Sequence, residues 1–186
     1  MKKLNVKKLT VSAIMIALAT VLSLIPFIKM PLGGSLTPLS MLPICLIAIT
    51  FGTKWGILCA FLYSLIQLGI DIGPALSWGL TPQALAGTIA FDYIVPFTLL
   101  GFSGIFANKG KIGAISGIAL SLIGRFLCHF TTGIIIFDIW CEWQNVPLYS
   151  LCYNGAYMLP ELILTTIGAF FLLSSKSVKK LVGIEK

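Results

Sequence analysis

The stretch 112-IGAISGIALSLIGRFLCHFTTGIIIF-137 decides the fold. Across its 26 residues only Arg125 and His129 can carry a charge. A helix needs roughly 20 apolar residues to cross the hydrocarbon core of a bilayer, and this run is long enough. An ionisable side chain at that depth costs about 3 kcal/mol on insertion scales, so it turns toward a bundle interior or water. Arg125 and His129 are four residues apart, hence on one helix face. The run reads as one member of a helix bundle with a polar interior face.

The rest of the 186-residue chain agrees. It is 58% hydrophobic and 10% charged, with a mean hydropathy of +1.00. A soluble domain of this size would need far more charge to cover its surface. Six apolar segments are expected near 10–28, 37–52, 55–71, 84–107, 112–137 and 149–175. The second is short and contains Pro43, so its start is the least defined. The N-terminal MKKLNVKKLT-VSAIMIALATVLSLIPFI has too long an apolar part for a signal peptide and no A-x-A-like site, so it reads as a retained first helix. The expectation is an all-α polytopic membrane protein of six transmembrane helices, with residues 1–186 as a single membrane-embedded domain. No G-x-x-x-x-G-K-[ST] motif is present to bind ATP. The five cysteines (Cys45, Cys59, Cys128, Cys141, Cys152) have neither metal spacing nor a disulfide pattern; within apolar runs cysteine behaves as a small hydrophobe.

Charge orients the bundle. Lys2, Lys3, Lys7, Lys8, Lys54, Lys109, Lys111, Lys176, Lys179, Lys180 and Lys186 make 11 of the 13 basic residues, all at one side of the expected topology. The positive-inside rule places that side, with both termini, in the cytoplasm. The net charge of +7 is therefore a topology signal, and its spread over short loops gives no support to nucleic-acid binding. The other side carries 29-KMPLGGSLTP-38, 71-DIGPALSWGLTPQ-83 and 138-DIWCEWQNVP-147. Tryptophan at the interface is the ordinary reading for Trp78, Trp140 and Trp143. The Gly33-Gly34 pair permits a tight turn at positive φ, and the loop at 29–38 is long enough to fold over a cavity as a lid, with Gly33, Gly34 and Ser35 at its tip.

Asp92, Arg125, His129 and Glu161 fall inside apolar segments. Asn154, Tyr157 and Glu161 share one face of the last segment, with Tyr149 and Tyr153 just before them. At 1.5 Å per residue, Asp92, His129, Tyr149 and Asn154 lie in the outer half of the membrane. They outline a polar pocket open to the outside, built from segments four, five and six. Asp92 has two readings, a structural ion pair with Arg125 or a ligand contact. Glu161, deeper, is expected to partner Arg125, which leaves Asp92 for a ligand. One carboxylate, one imidazole, tyrosines and an amide suit a small, flat, aromatic, cationic ligand. No metal ligand set, cofactor site or nucleophile–base arrangement is legible, so the chain does not read as an enzyme. Ala13 and Ala17 form a small-xxx-small pair on the first helix, which lets another helix approach closely, inside the bundle or from a partner.

The pieces 30-MPLGGS-35, 92-DYIVPF-97, RFLCH at 125–129 followed by Gly133, and 149-YSLCYNGAYMLP-160 resemble the thiamine-specific substrate-binding (S) components of energy-coupling factor vitamin transporters. The resemblance covers nearly the whole chain. It implies a six-helix protein of the prokaryotic plasma membrane that captures thiamine from outside and delivers it with a coupling membrane protein and two ATPase subunits. It makes Asp92, Tyr93, His129, Tyr149 and Asn154 ligand contacts. Phe137 stands where some members place a stacking tryptophan, so stacking falls to Phe137 or Trp140. A first-loop tryptophan of some members has no equivalent; Gly34 occupies its place, and the approach to helix four, WGLTPQALAGTIAFDY, differs from the family's shorter version, which leaves ligand contacts from Trp78 and Gln83 open. Ala13 and Ala17 match the family's docking surface. The alternatives are an S component for hydroxymethylpyrimidine or riboflavin, or a stand-alone proton-coupled transporter using Asp92, Arg125 and Glu161.

Overall fold

The computed structural model describes residues 6–31 and 33–184. Lys2, Lys3 and Lys186 of the charge argument, and Leu32 of the expected lid, lie outside the described residues. Six helical segments follow one another in the expected order. They are α1 (Val6–Ser23), α2 (Leu42–Phe51), α3 (Thr53–Ser77), a composite fourth segment, α6 (Gly110–Ile135) and α7 (Val146–Leu172). The fourth segment begins as α4 (Pro82–Thr88), opens into a π-helical turn (Ile89–Ile94), closes briefly as α5 (Val95–Thr98) and ends as a 3-10 helix (Leu99–Gly104). A short α8 (Lys176–Val182), not expected from the sequence, tucks Val182 and Ile184 into the core. The two strands, Ile28–Lys29 (β1) and Ser35–Leu36 (β2), make a minimal hairpin between α1 and α2.

Three single helices, α1, α3 and α7, are long and apolar enough to cross a membrane. So is the 54-residue helical stretch Pro82–Ile135, which holds two passes folded back at Phe106–Gly110, where Gly110 adopts φ +76°. The second segment departs from expectation. It was expected over 37–52, yet α2 is ten residues long, about 15 Å at 1.5 Å per residue and half of what a crossing needs. Pro38, a left-handed Leu39 (φ +63°) and Pro43 hold the chain out of a helix before Leu42. The compensation is burial. Leu42 through Ile49 are all buried, so α2 is apolar on every face because every face meets protein. It is the axis of the bundle, wrapped by α1, α3, the fourth segment, α7 and α8. Small residues make this wrapping tight: a Cβ on Gly104 would run into the carbonyl of Ala48, and one on Gly117 into that of Ser103.

The non-helical chain leading into α2 also lies inside the bundle, with Leu36, Thr37, Ser40 and Met41 buried. Irregular backbone at membrane depth survives only where protein satisfies its polar groups. Here Glu161 of α7 does so. Its Oε2 accepts the Thr37 N–H at 3.0 Å, and its Oε1 accepts the Thr165 hydroxyl at 3.3 Å. Thr37 and Ser40 close the turn with a hydroxyl–hydroxyl bond of 2.7 Å. The expected Glu161–Arg125 pair is therefore absent among the described residues: Glu161 is taken by the backbone that enters α2.

Apart from Lys29, which lies in β1 of the hairpin, the described lysines gather at one end. Lys8 Nζ lies 4.3 Å from the Trp55 ring centre, joining the start of α1 to the α2–α3 turn. Lys111 Nζ donates to Ser174 Oγ at 2.6 Å, joining the start of α6 to the end of α7. The hairpin, the 78–81 bend and the 137–145 connection occupy the opposite end.

Glu161→Ala is expected to strand the Thr37 amide and the Thr165 hydroxyl and to destabilise the fold by about 1–3 kcal/mol. Glu161→Gln, which keeps one acceptor and adds a donor, loses less. Thermal unfolding of both variants in detergent micelles checks the order.

Candidate functional site

Segment four owes its distortion to one residue. Pro96 has no N–H, and its ring crowds the carbonyl one turn back, that of Asp92. The helix relaxes into i→i+5 bonding over Ile89–Ile94, with the Val95 N–H reaching Ala90 O. Such π turns concentrate at functional sites, and here the widened turn carries Asp92.

Asp92 meets α6. Its Oδ1 accepts the Thr132 hydroxyl at 2.5 Å and the Nδ1–H of His129 at 2.9 Å. The ring assignment follows from the other nitrogen: Arg125 Nε, which can only donate, points at His129 Nε2 at 3.3 Å. His129 is therefore the Nδ1–H tautomer, held between a guanidinium and a carboxylate. The guanidinium also touches Met41 Sδ and lies 4.3 Å from the Phe97 ring centre, a cation–π contact in place of an ion pair. The Asp92–Arg125 ion pair allowed by the sequence does not form; the histidine stands between them. Asp92 Oδ2 is buried with no hydrogen-bond partner among the described residues.

The third wall is α7. Gly133 lets it approach α6, because a Cβ there would run into Ser150 Oγ and come within 3.2 Å of Asn154 Nδ2. Ser150 donates to Phe130 O at 2.8 Å. Asn154 Nδ2 donates to His129 O at 3.2 Å and Ser150 O at 3.0 Å, while its Oδ1 accepts the Tyr157 hydroxyl at 2.9 Å. Rings then run in sequence: Trp143 to Tyr149 (5.7 Å), Tyr149 to Tyr153 (5.9 Å), Tyr153 to Tyr157 (6.4 Å), Tyr157 to His129 (6.4 Å). The hairpin covers them, with the Tyr153 hydroxyl donating to Gly33 O at 3.2 Å.

Together these groups enclose a cavity of about 240 Å³. Asp92, Tyr93, His129, Phe137, Tyr149 and Asn154 line it, as do Gly33, Gly34 and Ser35 of the expected lid. Trp140 does not. It packs behind Phe137, with ring centres 5.6 Å apart. Gln83 is exposed and away from the cavity, whereas Trp78 lines it. Ala13 and Ala17 are exposed on α1, far along the chain from this wall. A whole wall was missed in the sequence: Tyr63, Gln67 and Asp71 of α3 also face the cavity, and Gln67 Nε2 donates to Ser23 Oγ at 2.9 Å. Their i, i+4, i+8 spacing was the available signal. The arrangement is one for holding a ligand: a carboxylate with a spare acceptor, a neutral imidazole, an amide and ring faces around an enclosed space.

The thiamine transporter protein family matches residues 9–181 of this chain. The thiamine transporter ThiT of Bacillus subtilis (strain 168) is 32% identical over 170 residues, covering 83% of this chain and 84% of that protein. The structure of ThiT from Listeria monocytogenes superposes with a TM-score of 0.71 at 24% identity, over 94% of this chain and 96% of that one. This last likeness shows the same polytopic helical membrane fold.

The chain has one histidine, so its tautomer can be read without overlap. In protein labelled with 15N-histidine, Nδ1 is expected at a protonated shift and Nε2 at an unprotonated one. Arg125→Met leaves Asp92 holding the Nδ1 proton but removes the donor at Nε2, so Nδ1 is expected to stay protonated while Nε2 becomes free to take up a proton at low pH.

Proposed function

The chain belongs to the thiamine transporter protein family, and from that premise we propose that it binds thiamine in this cavity as the substrate-binding component of an energy-coupling factor importer. One observation carries the reading: the buried Asp92 Oδ2 without a partner. A buried carboxylate oxygen with no donor is costly, and thiamine offers what it lacks, a fixed thiazolium charge and the exocyclic amine of its pyrimidine. The ring faces of Tyr93, Phe137 and Tyr149 suit a cationic aromatic ligand. His129 lines the site with its tautomer fixed, and Asn154, whose hydrogen bonds are spent on His129, Ser150 and Tyr157, orders the wall that the pyrimidine would meet.

In this reading the lysine-rich end and both termini face the cytoplasm, and the hairpin end opens outside. The chain has no nucleotide-binding motif, so energy would come from two ATPase subunits through a coupling membrane protein. Exposed Ala13 and Ala17 support docking on α1, the least buried of the apolar spans.

Equilibrium dialysis of the purified protein is expected to find thiamine binding well below micromolar. Asp92→Asn keeps the shape but removes the charge, and is expected to cost about 100-fold in affinity, from the roughly 3 kcal/mol of an unpaired buried charge. Absence of thiamine binding by the wild type would sink the reading. For the transport half, proteoliposomes are expected to take up thiamine only with the coupling protein, both ATPases and ATP. Uptake driven by a proton gradient without them would instead make this a stand-alone transporter.

A further inference from the structure

Trp78 is a large aromatic group at the hairpin end of the cavity. It caps α3, its backbone N–H reaching Ala75 O at 3.4 Å, and the chain then swings away through Gly79 at φ +67°. That bend aims the indole inward, over the hairpin end of the cavity. Its Cζ2 and Cη2 atoms lie 3.2 Å from where a Cβ on Gly33 would sit. Its far side meets the Phe137 ring edge-on, 5.7 Å away at 78°. The neighbouring glycine is occupied in the same way: a Cβ on Gly34 would come within 2.8 Å of the Tyr157 ring. Both glycines adopt left-handed φ, +84° and +71°, which an L side chain rarely takes. The hairpin tip thus carries no side chain of its own and is shaped as a slot for rings supplied by α3 and α7.

We propose that Trp78 is the gate and stacking residue of this site: its indole spans the mouth between the Gly33–Gly34 slot and Phe137 and closes face-on over the bound cation. The inference rests on the thiamine reading above. Indole has the strongest cation-binding face among the side chains, and Trp78 is the one tryptophan of the chain that lines the cavity. An interfacial anchor would turn its ring toward lipid; this ring turns toward the ligand space. The slot explains why the two positions are glycine beyond the demands of the turn. A methyl on Gly33 meets the indole, and a methyl on Gly34 meets the tyrosine.

The test combines calorimetry with tryptophan fluorescence on detergent-purified wild type, W78F, W78A and W140F. A cationic aromatic stacked on indole quenches its emission. Thiamine is expected to quench the wild type and W140F, and to leave W78F nearly unquenched. W78A is expected to bind about tenfold more weakly and to release thiamine about tenfold faster in stopped-flow chase. W78F keeps a ring in the slot and guards against loss of the fold, which thermal unfolding without ligand monitors. Undiminished quenching in W78F, or W78A affinity and release within twofold of wild type, overturns the gate while leaving thiamine binding intact. A wild type that melts cooperatively yet gives neither heat nor quenching with thiamine overturns the thiamine reading, and the gate with it.

Discussion

Pro96 cannot donate a backbone hydrogen bond, and its ring crowds the carbonyl of Asp92. Segment four widens into a π turn at that point, and Asp92 sits in the widened turn facing α6. The rest of the site depends on this placement. With Asp92 fixed, Thr132 and His129 are drawn onto one of its oxygens. With His129 fixed, Arg125 has a nitrogen to donate to and settles against Met41 and Phe97. A guanidinium, an imidazole and a carboxylate so aligned keep opposite charges in one chain of hydrogen bonds, while neither charge is left alone in an apolar interior. The carboxylate end of that chain is the incomplete one: Asp92 lines the cavity, and its Oδ2 is buried without a partner among the described residues.

A second constraint supports the first. The segment before α2 runs through the bundle as irregular backbone, which lipid does not tolerate. Glu161 and the Thr37–Ser40 turn satisfy it from within. This explains how a ten-residue helix can stand where a full crossing was expected: the missing length is made up by chain that Glu161 holds in place. It also explains why Arg125 is free to serve the histidine. Two buried groups of opposite sign, which pairing rules would join, are each committed to a different structural task.

The membrane class, the segment order and the grouping of the lysines were legible because they depend on composition and length. The residues of segments four, five and six were legible because an ionisable or amide group inside an apolar run is conspicuous. What was not legible depends on geometry without a composition signal. The shortness of α2 follows from Pro38, Leu39 and Pro43 acting together with a partner 124 residues away. The α3 wall was hidden because Tyr63 and Gln67 are uncharged residues inside an apolar segment, and Asp71, at the end of the expected segment, read as a loop charge. The π turn was readable in DYIVPF from the proline four residues after the aspartate, but a proline in a membrane helix has several outcomes. Trp140 and Trp78 look alike in sequence, both aromatic residues in connections opposite the lysine-rich end; only the bend at Gly79 and the packing behind Phe137 separate them.

The run 148-LYSLCYNGAYMLPE-161 joins these parts. Tyr149, Tyr153 and Tyr157 recur at every fourth residue, so they stack on one face of α7 and form a column of rings from Trp143 down to His129. Asn154, set beside that column, ties its lower end to the α6 backbone. The hairpin rests on the column through Gly33 and Gly34. One face of one helix therefore touches the covering loop at its upper part and the Arg125–His129–Asp92 chain at its lower part. The hairpin is in contact with the Tyr153 hydroxyl and the Tyr157 ring, and the Tyr157 ring is in contact with the histidine that meets Asp92. The polar side chains of this helix thus form a continuous line of contacts between the mouth of the cavity and its charged floor.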